Sequence, residues 1–211
     1  EAINGEDFVP FTEALFIKEP GIGASVAWHR DGTTHWDSPD FDEGTHGFNF
    51  MAQLYGCTAA NGVWVVPGSH KERYVDIADM VTRAGSERIE EAIPMICNPG
   101  DVVISNRQAV HGSFANTSSD WRITINQGFH RRKSVLGVKG GGLHGKPAVY
   151  DAERIIERSK IIKLAIEARK QRFPDEQAFE YKPLSASTED FTWNAAARKS
   201  LHDYNLLDLS I

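Results

Sequence analysis

The sequence has few cysteines, no excess of basic residues and no long hydrophobic run. Cys57 and Cys97 are the two cysteines among 211 residues; they are too few for a disulfide framework and favour a reducing compartment. The 23 basic and 29 acidic residues give a formal net charge of −6, whereas nucleic-acid-binding proteins usually carry a basic excess. The longest apolar runs, such as residues 63–66, are much shorter than the ~20 residues of a membrane helix. We therefore expect a cytoplasmic protein with no nucleic-acid or membrane partner.

What is present is the composition of an ordinary globular domain. Hydrophobic residues make up 41% and charged residues 25% of the chain, as in typical folded proteins. No secretory signal precedes the first predicted strand, and the chain starts at Glu1 rather than at Met, as a processed or trimmed chain does. At ~100–200 residues per domain, we expect one domain with an appendage.

Residues 1–136 have the pattern of a β-rich domain, because short apolar runs alternate with turns that contain Gly, Pro and Asn. The predicted strands are 14–18, 25–29, 49–55, 63–66, 101–105 and 121–129. A charged, helix-tolerant stretch at about 75–93 interrupts this pattern as an insertion. The sequence thus predicts a mainly β core over residues 1–136.

Residues 137–211 predict a Gly-rich loop followed by a helical extension. Asp151 is a suitable N-cap for a helix that ends at about Arg172, before Pro174. The apolar face of this helix is predicted to consist of residues that recur at helical spacing: Ile155, Ile162, Ile166 and Phe173. We expect this face to pack on the core or on a partner subunit, in which case the protein is a homo-oligomer.

A possible metal site begins at His29 and Asp31. Residues i and i+2 of a strand project to the same face, so this pair could present an imidazole and a carboxylate to one ion. His111 follows far downstream. Two histidines and one carboxylate that leave coordination positions open suit non-haem Fe(II) oxygen chemistry. On its own this pattern is weak evidence, since the chain contains eight histidines.

Arg122 lies eleven residues after His111, at the start of a predicted strand. A guanidinium that reaches a buried pocket from a strand is costly unless it meets an anion, and its geometry suits a carboxylate. A dicarboxylate co-substrate would supply that anion.

With these features in place, the sequence resembles the phytanoyl-CoA dioxygenase family of Fe(II)- and 2-oxoglutarate-dependent oxygenases, with the ectoine-hydroxylase-like branch as a near relation. The resemblance covers about residues 12–130. It rests on motifs in matching order and spacing: Lys18-Glu19-Pro20-Gly21, Trp28-His29-Arg30-Asp31, Asn61-Gly62, Val66-Pro67-Gly68-Ser69-His70-Lys71, Asn98-Pro99-Gly100-Asp101, His111-Gly112-Ser113 and Arg122.

The resemblance implies a double-stranded β-helix, a jelly-roll relative with cupin-like form, and a site with three kinds of residue. His29, Asp31 and His111 would ligate Fe(II). The implied 2-oxoglutarate contacts are Arg122, which would clamp the distal carboxylate, with Ser113, Gln53 and Thr12. The candidate substrate contacts are Trp36 and His35.

The implied reaction is hydroxylation of an unactivated C–H bond of a small molecule, with O2 consumed and with succinate and CO2 as co-products. Asp31 retains the metal carboxylate that halogenating relatives replace, which favours hydroxylation. The family also carries an N-terminal region before the first matched strand, of which about a dozen residues are present here.

Two other functions fit the same three metal-binding residues. A metal-dependent hydrolase or isomerase on a cupin-like barrel would use His29, Asp31 and His111 for Zn²⁺ or Mn²⁺. It would need neither Arg122 nor 2-oxoglutarate. A non-catalytic barrel that senses a metabolite would bind iron weakly or release no succinate.

Overall fold

The computed structural model describes residues 1–31, 42, 44–140 and 148–202. The chain divides into two compact units. One comprises Glu1–Thr12 and Phe129–Ile211, and the other comprises Glu13–Gly128. The predicted division after residue 136 stays a prediction. No helix in the described ranges has the length and hydrophobicity to cross a bilayer.

The described residues form ten strands and four α-helices. The strands are β1 (Phe8–Lys18), β2 (Val26–His29), β3 (Gly47–Gln53), β4 (Trp64–Val65), β5 (Ile93–Pro94), β6 (Val102–Asn106), β7 (His111–Ser113), β8 (Arg122–Arg131), β9 (Lys139–Gly140) and β10 (Ala148–Val149). The helices are α1 (Ile77–Ala84), α2 (Arg132–Val135), α3 (Ala152–Arg172) and α4 (Ala195–Ser200), and short 3₁₀ turns lie at Ser69–Lys71 and Lys182–Leu184.

Two four-stranded sheets hold most of these strands, in the orders β1-β8-β3-β6 and β2-β7-β4-β5, and β9 pairs with β10. Successive strands from β1 to β4 and from β5 to β8 alternate between the two sheets, which is the strand arrangement of a jelly roll. The predicted fold class is therefore confirmed.

The first sheet presents an alternating buried face. Every second residue of β3 and of β8 is buried, as the two-residue period of a strand requires. Several of the buried side chains are polar, namely Asn49, Gln53, Arg122, Thr124 and Asn126. Because buried polar groups are costly unless they meet partners, this face is suited to a ligand pocket rather than to an apolar core.

The second sheet is built from short strands. Its antiparallel register places His29 of β2 opposite His111 of β7, and Val26 opposite Ser113. The two pairs differ in register, which marks a β-bulge between Val26 and His29. A core of Val66, Ile89, Ala92 and Val110 supports this sheet, and residues of α1 pack against it. The predicted insertion at about 75–93 thus includes α1.

The predicted strands are present, with changed bounds. β1 begins at Phe8 rather than at residue 14 and contains Pro10. It forms an edge of its sheet, where a residue without an N–H is tolerated. The three-residue strand β7 was not predicted, because it is too short for an alternating pattern to show.

Helix α3 begins after Asp151, whose side chain accepts a hydrogen bond from the Arg154 backbone N–H at 2.8 Å. The predicted apolar face was wrong in part. Of its four residues Ile155 is buried, whereas Phe173 is 40% exposed. The buried side of α3 is completed by Arg158, Ser159 and Leu164. Hydrophobic periodicity missed it because two of those three residues are polar.

Candidate metal centre and anion pocket

His29, Asp31 and His111 form one cluster. One ligand atom from each side chain lies within 4.8 Å of the others. The His29 Nε2 is 3.3 Å from Asp31 Oδ1, and the His111 Nε2 is 3.8 Å from Asp31 Oδ2. All three residues belong to the unit Glu13–Gly128. The pairing of β2 with β7 brings the two imidazoles together although they lie far apart in the sequence.

Backbone carbonyls orient both imidazole rings. The Nδ1 of His29 lies 2.7 Å from the Ala27 oxygen, and the Nδ1 of His111 lies 3.0 Å from the Ala109 oxygen. Because a carbonyl oxygen can only accept, each Nδ1 carries a proton, and in the neutral ring each Nε2 offers its lone pair to the cluster. This is the arrangement in which protein imidazoles usually bind a metal.

The Asp31 carboxylate is held by two buried polar residues. Asn49 donates from Nδ2 to Asp31 Oδ2 at 2.7 Å, and Arg107 donates from a terminal nitrogen to the Asn49 Oδ1 at 2.9 Å. A second terminal nitrogen of Arg107 lies 3.8 Å from Asp31 Oδ2. The backbone N–H of Asp31 donates to the Arg107 carbonyl at 3.1 Å. The carboxylate therefore has one fixed orientation.

The charges of the cluster suit a cation. Burial tends to raise the pKa of Asp31, but hydrogen bonding to His29 and the positive charges of Arg107 and of a protonated His111 outweigh it and hold this pKa well below its usual range. The same hydrogen bond raises the pKa of His29, so a metal that binds there displaces a proton from His29 Nε2. Burial lowers the pKa of His111, which favours the neutral imidazole that a metal needs. An ionised carboxylate and two aligned imidazoles fit Fe(II), and they would equally accept Zn²⁺ or Mn²⁺.

Arg30 fixes the backbone between His29, the last residue of β2, and Asp31. Its buried guanidinium donates to three backbone carbonyls, those of Gln108 at 2.7 Å, Glu72 at 2.6 Å and Arg73 at 3.0 Å. These bonds tie the end of β2 to two other segments of the same unit. Sequence reasoning missed this role, because the three acceptors are backbone atoms.

Arg122 lies on the buried face of β8 and is 3% exposed. Its Nε donates to the Thr124 hydroxyl at 3.2 Å, and that hydroxyl donates to the Gln53 side-chain oxygen at 2.7 Å. Within the described part of the chain, no carboxylate pairs with Arg122. A buried guanidinium without a counter-ion is unfavourable, so the geometry calls for an anionic ligand.

Lys18 adds a second buried cation. Its Nζ donates to the Ser113 hydroxyl at 2.8 Å and to the Phe114 carbonyl at 2.6 Å. Burial, with a contribution from the Arg122 charge, lowers the pKa of Lys18 to about 8. Ser113 follows His111 by two residues on β7, so both side chains project to one face. Lys18 is therefore connected to the metal-binding residue His111 through one strand.

The predicted site residues are thus brought together in part. His29, Asp31 and His111 form the cluster. Arg122 and Gln53 line one small cavity, Ser113 accepts from Lys18, and the roles of these residues stay predictions. Thr12 lies on β1, but its side chain is outside what the structure describes. His35 and Trp36 fall outside the described residues.

Several buried polar residues of the site were not predicted: Lys18, Asn49, Arg107, Thr124 and Asn126. A partial signal existed for the last two, because they alternate with Arg122 along β8. Asn126 also has a buried side-chain oxygen without a hydrogen-bond partner among the described residues, as expected of a group that faces a ligand pocket.

Comparison with known proteins identifies the family of this chain. The family model described as "Phytanoyl-CoA dioxygenase (PhyH)" matches residues 3–124, more than half of the chain. "Dioxygenase lolE1" of Epichloe uncinata is 31% identical over 140 residues, which cover 65% of this chain and 48% of that protein. "Phytanoyl-CoA dioxygenase 1" of Oryza sativa subsp. japonica is 30% identical over 115 residues, which cover 50% of this chain and 39% of that protein. The chain thus spans less than half the length of these relatives.

A solved structure supports the fold. The crystal structure of EctD from S. alaskensis, with 2-oxoglutarate and 5-hydroxyectoine, has a TM-score of 0.52 at 22% identity and covers 64% of this chain and 48% of that chain. At this identity the likeness concerns the fold alone. Together with the family match, it confirms the resemblance found in the sequence.

Proposed function

The chain belongs to the phytanoyl-CoA dioxygenase family of Fe(II)- and 2-oxoglutarate-dependent oxygenases, and we propose that it hydroxylates a C–H bond of a small molecule with succinate and CO2 as co-products. One observation carries this proposal. A buried arginine without a carboxylate partner in the described residues, Arg122, lies in the same unit as a metal-binding cluster of two imidazoles and one carboxylate.

His29, Asp31 and His111 would hold the iron. When bound, Fe(II) supplies the activation of dioxygen, with 2-oxoglutarate as the reductant. The carbonyls of Ala27 and Ala109 hold the Nδ1 protons, so that in the neutral rings both Nε2 lone pairs face the metal position. Asn49 and Arg107 keep the carboxylate in place. The protein contributes fixed ligands at three sites and leaves the remaining positions to the substrates.

Arg122 and Lys18 would bind the carboxylate of 2-oxoglutarate. Two positive charges in a desolvated pocket attract a dianion more strongly than they would in water. Ser113, held by Lys18 at 2.8 Å, offers a hydroxyl to the same ligand. Their burial also excludes water from the pocket. A reducing compartment such as the cytoplasm is the proposed location, on the basis of the cysteine content.

Anaerobic titration of the metal-free protein with Fe(II) and 2-oxoglutarate tests the proposal. We expect a weak visible charge-transfer band in the wild-type protein. In Arg122→Ala the affinity for 2-oxoglutarate should fall at least about 30-fold, because loss of a buried charged partner costs about 2 kcal/mol or more. Arg83→Ala is the matched control, since Arg83 is exposed on α1, and it should leave the titration unchanged.

The same titration also distinguishes the oxygenase from the two other functions that fit the metal-binding residues. If iron binds and no band forms with 2-oxoglutarate, the oxygenase proposal is wrong and a hydrolase or isomerase with the same three ligands takes its place. If the band forms and no compound in a substrate screen yields succinate above the substrate-free rate, a metabolite-binding barrel is the better account.

A further inference from the structure

The two cysteines of the chain lie directly opposite each other. Cys57 and Cys97 form an isolated antiparallel bridge within the unit Glu13–Gly128. Each backbone N–H donates to the other's carbonyl, at 2.8 and 3.0 Å. These are the two cysteines of the sequence, and the proposed oxygenase mechanism assigns no role to them.

The geometry of the bridge suits a disulfide. A hydrogen-bonded antiparallel pair has its Cα atoms about 5.5 Å apart, within the range of about 4.4–6.8 Å that disulfides span, and the two thiols hydrogen-bond to each other. The Cβ atoms of such a pair lie farther apart than the about 3.8 Å usual in disulfides, so closure needs a small inward shift of the strands. Both Sγ atoms lie near the Met95 carbonyl oxygen, at 3.0 Å for Cys57 and 3.9 Å for Cys97. The two thiols therefore lie on the same side of the bridge.

The backbone around the pair is closely packed. A Cβ built on Gly56 would lie 2.9 Å from the Cys97 carbonyl oxygen. The segments that carry Cys57 and Cys97 are therefore so close that a side chain at residue 56 would clash with the backbone. The thiols can thus meet without a change in backbone register. Cys57 is buried, whereas Cys97 is half-buried and is the more accessible sulfur.

The pair also borders the anion pocket. Cys57 lines a small cavity together with Arg122, Gln53 and Met51. A bond to Cys97 would draw the Cys57 sulfur away from the Met95 oxygen and change the wall that this cavity shares with Arg122.

We propose that Cys57 and Cys97 form a redox modification site, at which a peroxide closes a reversible disulfide and weakens the binding of 2-oxoglutarate at Arg122. The Cys97 thiol takes an oxygen atom from the peroxide, gives a sulfenic acid and releases water. The Cys57 sulfur then attacks the Cys97 sulfur, and a second water leaves. In total two thiols are oxidised and one hydrogen peroxide is reduced to two waters. The effect on binding rests on the proposed function, whereas the disulfide does not.

Burial and the neighbouring Cys57 thiol raise the pKa of Cys97 to about 11. Since the thiolate is the reactive form, the reaction should be slow at neutral pH and faster as the pH rises.

The disulfide is tested on the full chain, freed of iron, by treatment with hydrogen peroxide. We expect both thiols to disappear together, with a loss of two hydrogen masses, an intramolecular Cys57–Cys97 peptide cross-link and full recovery with dithiothreitol. Cys57→Ser and Cys97→Ser each keep one thiol and cannot form this link. Loss of a single thiol, a stable gain of oxygen or a cross-link between two chains would overturn the modification site.

The effect on the pocket is tested by titrating the Zn²⁺-loaded protein with 2-oxoglutarate before and after oxidation. We expect weaker binding after oxidation, recovery with reductant, and no change in peroxide-treated Cys57→Ser. Equal affinity in both states would disprove the link to Arg122. If the reduced protein itself does not bind 2-oxoglutarate, the proposed function fails, and the thiol count still decides the modification site.

Discussion

At the scale of single residues, Asn49 determines how the Asp31 carboxylate is held. Its side chain joins Asp31 to Arg107 and is 4% exposed. Asn49→Ala should lower the affinity for Fe(II) or Co²⁺ about 10–100-fold, as is usual for residues that orient a metal ligand. It should also lower the free energy of unfolding by about 1–3 kcal/mol, because buried partners lose their hydrogen bonds. Metal titration and urea unfolding measure the two effects.

Asn61→Ala is the matched control for that variant. Asn61 is 1% exposed and bonds to Thr58 and Ser118, which are not part of the cluster. It should cost similar stability and leave the metal affinity unchanged. Equal metal affinities for wild type and Asn49→Ala would show that Asn49 has a purely structural role.

The lowered pKa of Lys18 predicts that the affinity for 2-oxoglutarate depends on pH. Below about pH 8 its amine is protonated with and without ligand, so the affinity for 2-oxoglutarate should be constant. Above its pKa of about 8 the free protein loses this charge, binding must take up a proton, and the affinity should fall as the pH rises. Calorimetric titration from pH 7 to 10 measures the profile. Lys18→Met should bind more weakly and without this decline, and a decline that persists in the variant would assign it to another group.

At the scale of elements, Arg158 connects α3 to β1. This residue is 1% exposed, and its guanidinium donates to the carbonyls of Pro10 at 3.3 Å and Phe11 at 2.9 Å. Arg158→Leu should destabilise the protein by about 2–4 kcal/mol, because the buried carbonyls lose charged donors. Arg169→Leu removes an exposed pair with Glu176 and should cost less than about 1 kcal/mol. Urea unfolding compares them, and equal stabilities of the two variants would contradict the assigned role.

The elements were predicted from sequence where their pattern is local. The N-cap Asp151 and the stop at Pro174 defined α3 to within one or two residues, and the alternation around Arg122 defined β8. The buried side of α3 was not predictable, since Arg158 is buried by backbone acceptors that lie almost 150 residues earlier. Similarly, His29-x-Asp31 was visible as a motif, whereas Asn49, Arg107 and Lys18 join the site only through sheet pairing.

At the scale of the whole molecule, a bound divalent metal should raise the stability of the protein. The three ligands come from segments that unfolding would separate, so the ion binds the native state alone. At a free metal concentration 100 times the Kd, the gain is about 2.7 kcal/mol. We expect addition of Co²⁺ to raise the melting temperature and a chelator to reverse the rise. His29→Ala should show no such rise, and an equal rise in this variant would place the metal elsewhere.

The division of the chain and its self-association also concern the whole molecule. We propose that residues 1–136 act as the catalytic core and residues 137–211 as an extension, and that the protein self-associates through α3. Exposed apolar residues of the extension, such as Ile156 and Phe173, support the second proposal.

The bulge in β2 has a consequence for how this sequence can evolve. Val26 stands opposite Ser113 and His29 opposite His111, so three steps along one strand correspond to two along the other. If the same sequence paired without the bulge, Trp28 would stand opposite His111. A one-residue deletion between residues 26 and 29 would therefore match two steps with two and leave His29 opposite His111, whereas a further deletion would move His29 out of register with His111. A substitution at Ala27 keeps the carbonyl that orients His29. The bulge thus gives this strand one residue of spare length, which the sequence can lose without separating the two imidazoles.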